Sequence, residues 1–464
     1  MQRGTRPAEA EHQGLQHDSL LDRGRLSVVI SAGPAAIVEN RAGKLTAKSE
    51  NRTGYHSSLF AARTLGYFRC VTPQRRVMLD EPRQTRAEVR FFAQNATFER
   101  LWPLIRARVG EVFDNGKFSH GKQVAQLEQR LREYTGAQYV VGVNSGTDAL
   151  VLLLRAAGLK PGDGVIVPAF SFVATASAVV LAGGVPQFAD IDPGNYALNP
   201  GAIETALTPA SRFVLPAHLF TSIADMASIR EIAGRNELTV LEDSAEGIGM
   251  RQRGIHSGLH GKGGVLSFFP SKTLGALGDA GAVLTNDPGI AGRVAALRHH
   301  GRGGRTLDHF PGISTESGLI GTNSKMDDIQ AAILLAKLTC LDEDIARRRA
   351  LALEYGAGLA GIPGIRRRPE LGPDDVCYVY LIEADRRDEL AAYLAEAGIG
   401  TETYYPIPLH RQPCFAEFGP HPDLPHAEAA CARALALPLY PDLEARDVHT
   451  VCAHIRRFYA EVAA

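Results

Sequence analysis

No two of the six cysteines, Cys70, Cys340, Cys377, Cys414, Cys431 and Cys452, form a CxxC pair. Scattered in this way they argue against a cysteine metal cluster or a disulfide framework and read as free thiols of a reducing compartment. Long apolar runs are lacking as well. No stretch approaches the roughly 18 to 20 apolar residues that a membrane span needs, and the start MQRGTRPAEAEHQGLQHDSLLDRGRLSVVISAG has no charged-then-apolar pattern ending at a small-residue cleavage site. The expectation is a cytoplasmic protein with no membrane partner. A net charge of −1 leaves no global field for gripping nucleic acid. Internal repeats and low-complexity tracts are absent, and so is a GxGxxG after the early strands, which weighs against a nicotinamide dinucleotide. What remains is 464 residues of ordinary globular composition, 45% hydrophobic and 22% charged, with room for two or three domains.

The chain divides by pattern into three parts. Residues 1–90 carry 15 Lys plus Arg against 9 Asp plus Glu, with weak periodicity; they read as a disordered or over-long leader, with a small docking element as the alternative. Residues 91–335 alternate helical and strand signals. ATFERLWPLIRARVGEVFDNG and GKQVAQLEQRLREYTGA have apolar residues at helical spacing, and runs such as QYVVGVNS, GVIVPA, VPQFAD, LTVLED, VLSFFP and GAVLTND read as strands between them. This alternation predicts an α/β fold, a mainly parallel sheet with helices on both faces. Residues 301–322 read as a long glycine-rich loop, and MDDIQAAILLAKLTCLDEDIARRRALALEYGAGL as one long connecting helix, with Asp327 and Asp328 in its first turn. Residues 336–464 read as a smaller C-terminal α/β domain.

Three segments carry chemistry. Asn144-Ser145-Gly146-Thr147-Asp148 falls where a strand gives way to a helix; free N–H groups, two hydroxyls and a glycine there suit a phosphate, although most such serines and threonines are plain N-caps. Asp243, at the carboxyl end of LTVLED, sits on the usual ligand edge of an open α/β sheet. A carboxylate there can pair with a protonated ring nitrogen; capping or a salt bridge is the alternative. A metal is disfavoured because no histidine has a fitting near spacing. Lys272, in SFFPSKTLGALGDAGAV, lies among Phe268, Phe269 and Leu274. Partly apolar surroundings disfavour its ammonium form and free the amine for a Schiff base. A nucleotide P-loop is the competing reading of Lys272-Thr273, but Ser271 stands where that motif needs glycine. Ser267 can add a hydroxyl to a phosphate, and Phe172 in PAFSFVATA can stack on a flat ring or fill the core.

The order of these segments, together with LPAHLFTSIADM, GTNSKMDDIQAAIL and TYYPIPLHRQPCF, resembles the DegT/DnrJ/EryC1/StrS family of pyridoxal-phosphate-dependent sugar aminotransferases from about Phe118 to the C-terminus. The resemblance implies fold type I, pyridoxal 5'-phosphate as cofactor, and an obligate homodimer with shared active sites. It implies that Lys272 carries the coenzyme and then the proton, that Asp243 pairs with the ring nitrogen, and that Glu246 lies near the ring hydroxyl. Phe172 would stack on the ring. Ser145, Gly146, Thr147 and Ser267 would hold the phosphate, with Asn323 reaching it from the partner subunit. Tyr405 and His410 match a segment by the sugar-binding mouth, and Lys325 is a candidate for the substrate diphosphate. Glu246 stands where many members carry Gln or His, and Lys325-Met326 replace a frequent Arg-Leu.

The implied activity is transfer of an amino group from an amino acid, glutamate by family analogy, to a nucleotide-linked keto sugar, with carbon 3 as the expected position. A carbon 4 ketone or a cyclitol is the alternative within that class. Outside it stand a coenzyme-binding regulator and a different pyridoxal-phosphate reaction.

Overall fold

The computed structural model describes residues 89–119, 121–221, 223–304, 313–372 and 375–463. Residues 1–88 of the expected leader lie outside the described residues. Val89 is buried and pairs in parallel with Ile399, its N–H donating to the Gly398 carbonyl at 3.1 Å.

Eight strand segments build the main sheet. Val185–Ala189, Gly164–Pro168, Ser211–Val214 and Thr239–Val240 pair in parallel in that order. Val214 and Pro216 carbonyls accept from Leu241 and Asp243 N–H groups, so the sheet continues into Glu242–Asp243, which pairs in parallel with Gly263–Ser267. Gly281–Thr285 then runs antiparallel between Gly263–Ser267 and Tyr139–Val143. Every strand except Gly281–Thr285 therefore points the same way, and their carboxyl ends share one edge. The mainly parallel sheet expected from the alternating pattern is thus present, with one reversed strand.

Burial explains why these runs fold as they do. All five residues of Gly164–Pro168 are buried, as befits a strand covered on both faces. Helix Gly146–Ala156 turns Leu150, Leu152, Leu153 and Leu154 into the core, each such leucine contributing about 1.5–3 kcal/mol. Ala174–Leu181, Pro288–Leu297 and Met226–Arg235 add further helical cover. A second, three-stranded antiparallel sheet joins Ile365–Arg367, Tyr380–Ala384 and Ala434–Leu437. Tyr355, Tyr380, Leu390, Val448 and Ile455 pack beside it in a separate cluster, contributed partly by helices Leu341–Gly358, Arg387–Glu396 and Ala445–Ala463. Among the described residues no helix is long and apolar enough to cross a membrane.

Two expectations are corrected. The single connecting helix is two, Asp328–Leu338 and Leu341–Gly358. Thr339 Oγ1 bonds the Ala336 carbonyl at 2.7 Å, competing with the helical ladder, while Asp342, Glu343 and Asp344 favour a fresh helix start. The glycine-rich loop is partly a ribbon, because Arg302–Gly304 pairs antiparallel with Ile313–Ser317.

At the carboxyl edge three segments meet backbone to backbone. A Cβ on Gly281 would lie 2.5 Å from the Ser145 carbonyl oxygen, and one on Gly146 would lie 2.7 Å from Ser267 Cβ. Gly281→Ala should therefore cost about 1–3 kcal/mol of stability, the usual range for overpacking. Gly292 is the control, a helical glycine where an added Cβ would meet nothing within 4 Å. Gly292→Ala should be neutral or stabilise by about 0.5–1 kcal/mol. Urea unfolding of both variants checks the pair.

Candidate active site

The shared carboxyl edge opens into a cavity of about 240 Å³ that gathers Ser145, Gly146, Thr147, Phe172, Asp243, Glu246, Ser267, Lys272 and Tyr405. Nine of the residues singled out in the sequence thus face one space, although they span most of the folded chain.

One end of the cavity is a helix start. Ser145 is extended, and its Oγ caps the Asp148 N–H at 3.1 Å. Capping and anion binding are compatible here, because the first helical N–H groups at Gly146 and Thr147 have no intrahelical partner. Ser267, ending strand Gly263–Ser267, lies against Gly146 and supplies a second hydroxyl.

The adjacent acids Glu242 and Asp243 point to opposite jobs. Glu242 is fully buried and accepts from Gly258 N–H at 2.8 Å, Gly261 N–H at 2.7 Å and His218 Nε2 at 2.9 Å. Burial alone would raise its carboxyl, but the His218 and amide bonds outweigh that and hold it below the usual carboxylate range. Since His218 Nδ1 accepts the Ala224 N–H at 3.2 Å, its proton sits on Nε2. Asp243 instead faces the cavity. Its Oδ2 accepts the Thr175 hydroxyl at 2.7 Å, and Thr175 Oγ1 lies 2.7 Å from Ser171 Oγ; the Ala245 N–H reaches Oδ1 at 3.2 Å. The carboxylate is locked in orientation.

Lys272 corrects an expectation. Its Nζ lies 3.1 Å from Glu246 Oε1 and 4.4 Å from the centroid of the Tyr378 ring. Burial works against the charge, but the Glu246 carboxylate overrides it and holds the ammonium above the usual lysine range. Local sequence suggests a lysine with a disfavoured charge; the fold brings a carboxylate to it. Glu246 is in turn fixed by the Phe220 N–H on Oε2 at 2.9 Å.

Phe172 is 56% exposed, whereas Phe170 takes the core. Tyr405 lies 6.2 Å from Phe172, ring centre to ring centre. Burial holds the Tyr405 phenol well above its ordinary range, as it does for Tyr404. Three named residues are not brought to the cavity. Asn323 is exposed and bonded to Lys325 Nζ, so these two stay together outside it. His410 is buried, with Nε2 3.0 Å from Glu428 Oε1 of helix Pro425–Arg433. Residues that sequence reasoning passes over include Ser171 and Thr175 behind Asp243, and Tyr378 beneath Lys272. Thr175 follows Phe172 by three positions in PAFSFVATA, a spacing that offers a signal; Tyr378 comes from CYVYLIEA, where only its aromatic character stands out.

A mixed sheet with one lysine, a strand-end aspartate and a helix start along its carboxyl edge is the architecture of fold type I, the large α/β class of pyridoxal-phosphate enzymes. Within that class the chain belongs to the DegT/DnrJ/EryC1/StrS aminotransferase family, whose model matches residues 103–456. It is 39% identical to a pleiotropic regulatory protein of Geobacillus stearothermophilus, over 79% of this chain and 97% of the relative. It is also 39% identical to the dTDP-3-amino-3,4,6-trideoxy-alpha-D-glucose transaminase of Streptomyces venezuelae, over 81% and 97%. The crystal structure of NtdA from Bacillus subtilis, with bound cofactor PMP, superposes with a TM-score of 0.73 at 35% identity, covering 80% of this chain and 86% of that one.

Thr175→Val should leave Asp243 Oδ2 short of a partner and cost about 1–3 kcal/mol. Urea unfolding of the coenzyme-free protein measures it, and a cost near zero would show that Thr175 does not hold the carboxylate.

Proposed function

We propose that the protein transfers an amino group from an amino acid, glutamate in the first instance, to the carbon 3 keto group of a nucleotide-linked deoxy sugar, using pyridoxal phosphate. The carrying observation is the convergence of Lys272, Asp243 and the Ser145–Thr147 helix start on one cavity. The donor set suits the coenzyme: a hydroxyl-and-amide cup for a phosphate, a fixed carboxylate for a ring nitrogen, and the one lysine among the described lining residues. Bound there, pyridoxal phosphate supplies an electron sink and a carrier for the amino group. The carbon 3 position rests on the likeness to the Streptomyces 3-amino-sugar transaminase.

The protein's own groups divide the work. Ser145, Gly146, Thr147 and Ser267 hold the phosphate end. Asp243, oriented by Thr175, keeps a proton at the ring nitrogen. Lys272 Nζ is the holding atom and the proton carrier, and Glu246 Oε1 sets how tightly that proton is kept. Phe172 and Tyr405 give the ring an apolar face. A coenzyme-binding regulator is not favoured, because the cavity keeps Lys272, Asp243 and the Ser145–Thr147 helix start together.

The working unit in this reading is a cytoplasmic homodimer. Exposed apolar side chains at the cavity, Phe172 and Phe269, and Leu277 nearby in sequence, support a partner surface, and Asn323 and Lys325, absent from their own subunit's cavity, would serve the partner's. A division of the folded part near residue 335 into a large and a small domain is supported by the helix break at Thr339.

Turnover with glutamate and a panel of nucleotide-linked 3-keto and 4-keto sugars, followed by mass spectrometry and NMR of the product, should place nitrogen at carbon 3; amination of 4-keto sugars alone would sink that assignment. Lys272→Ala should lose about 10²–10⁴-fold in turnover while remaining folded. The lysine must also shed its proton before it can capture the coenzyme. Because Glu246 raises its proton affinity, capture should quicken as pH rises, and Glu246→Gln should move that profile to lower pH by about one unit. Stopped-flow absorbance after mixing with pyridoxal phosphate reads the shift.

A further inference from the structure

Tyr378 belongs neither to the phosphate cup nor to the partner of the ring nitrogen, yet the fold brings it from just ahead of strand Tyr380–Ala384 to Lys272. Lys272 Nζ stands over its ring, 4.4 Å from the centroid, inside the roughly 6 Å reach of a cation–π contact. The ring is held on several sides. Tyr378 is 3% exposed, its hydroxyl lies 3.2 Å from Ser271 Oγ, and its ring stacks on Phe92 with 6.5 Å between centres. Its backbone is fastened as well, the N–H donating to the Phe220 carbonyl at 2.8 Å and the carbonyl accepting Arg348 Nη1 at 3.1 Å.

Phe220 is the common tether. Its N–H holds Glu246 Oε2 at 2.9 Å and its carbonyl holds the Tyr378 N–H, so one residue fixes both the carboxylate and the ring on which the ammonium rests. Phe220 is buried with a φ of +61°, in the left-handed region that a bulky side chain seldom occupies. Such backbone persists where the surrounding contacts over-determine it, and it gathers at working sites.

We propose that Tyr378 is a positioning residue for Lys272: its π face seats the ammonium beside Glu246 before the coenzyme enters, and Phe220 sets the spacing between seat and carboxylate. The role rests on the proposed function only in taking Lys272 as the working amine. A ring face attracts a cation through its negative quadrupole, so the contact belongs to the ring and not to the hydroxyl. Burial works against the charged amine, while Glu246, Tyr378 and Asp243 favour it. Other ionisable groups surround Lys272. Asp243, Glu246, Asp279, His218, Tyr404 and Tyr405 share its main cavity, and Lys337, Asp344, Arg348 and Tyr440 line a narrow second space that Lys272 also borders. Changing the ring alone leaves all of them in place.

Trace acetylation of the full chain freed of coenzyme, with Lys272 followed by peptide mass spectrometry, tests this without turnover. Acetylation needs the neutral amine, so below the titration midpoint its rate follows the neutral fraction. Tyr378→Phe keeps the ring face and should leave the rate at Lys272 within about twofold of the unaltered chain. A ring-fluorinated phenylalanine at position 378 has nearly the same shape but a weakened negative face, and should raise the rate about three- to tenfold over Tyr378→Phe. Access to the amine is matched between those two variants, so the difference reads the charge interaction, and a change in packing would not produce it. Tyr378→Phe also keeps the apolar bulk of the site, so the comparison does not rest on a variant that fails to fold. Equal rates in the two phenylalanine variants overturn the proposal, and so does a rise in Tyr378→Phe itself as large as that expected on fluorination. The labelling decides the Tyr378 contact whether or not the chain captures pyridoxal phosphate, so this inference and the proposed function fail separately.

Discussion

The site depends on a steric constraint at the carboxyl edge of the sheet, where the turn at Ser145, the end of strand Gly263–Ser267 and the start of strand Gly281–Thr285 touch with no room for a Cβ at Gly146 or Gly281. That contact sets how far the helix start stands from the loop carrying Lys272, and hence the size of the cavity between them. The reversed strand is part of the same device. By starting at the edge where the parallel strands end, it lets one short stretch, from Ser267 to Gly281, supply a hydroxyl, a lysine and the glycine that admits them.

Charge is arranged on that frame by separating neighbours. Glu242 and Asp243 are adjacent, yet alternation along the strand sends one into a bed of amide donors and His218 and the other into the cavity. Glu242 is thereby a structural anion whose cost of burial is met by its bonds, and Asp243 is left with one oxygen oriented by Thr175 and the other by a backbone amide. Lys272 and Glu246 form the complementary pair, so the cavity stores a proton on the lysine before any ligand enters.

Much of this is legible in the sequence, and the limits follow from the physics. Strands of the main sheet are short apolar runs set between helical segments, and the carboxyl-edge motifs are contiguous, so Ser145, Asp243 and Lys272 can be named together. The helix break at Thr339 is hidden because apolar residues continue at helical spacing on both sides. Protonation of Lys272 is hidden because its partner lies in another segment, and local apolar neighbours point to the opposite shift. His410 follows Tyr405 closely in sequence, but the short 3₁₀ turn Leu409–Arg411 rotates it inward onto Glu428. Tyr378 belongs to the segment leading into the small sheet, a placement that no local pattern encodes.

The pairing of Tyr139–Val143 has a consequence for how the chain comes to be folded. Its sheet partner is Gly281–Thr285, and its other backbone bridge is to Lys325, so on a ribosome the first strand is made long before anything can dock beside it. The parallel strands made in the interval, from Gly164–Pro168 to Gly263–Ser267, can associate among themselves, but the position between Gly263–Ser267 and Tyr139–Val143 stays open and its hydrogen-bonding groups unmatched. Synthesis therefore passes through a long window in which a half-built sheet with an apolar edge is present, and the last-made strand of that sheet both joins Tyr139–Val143 to the rest and completes the cavity.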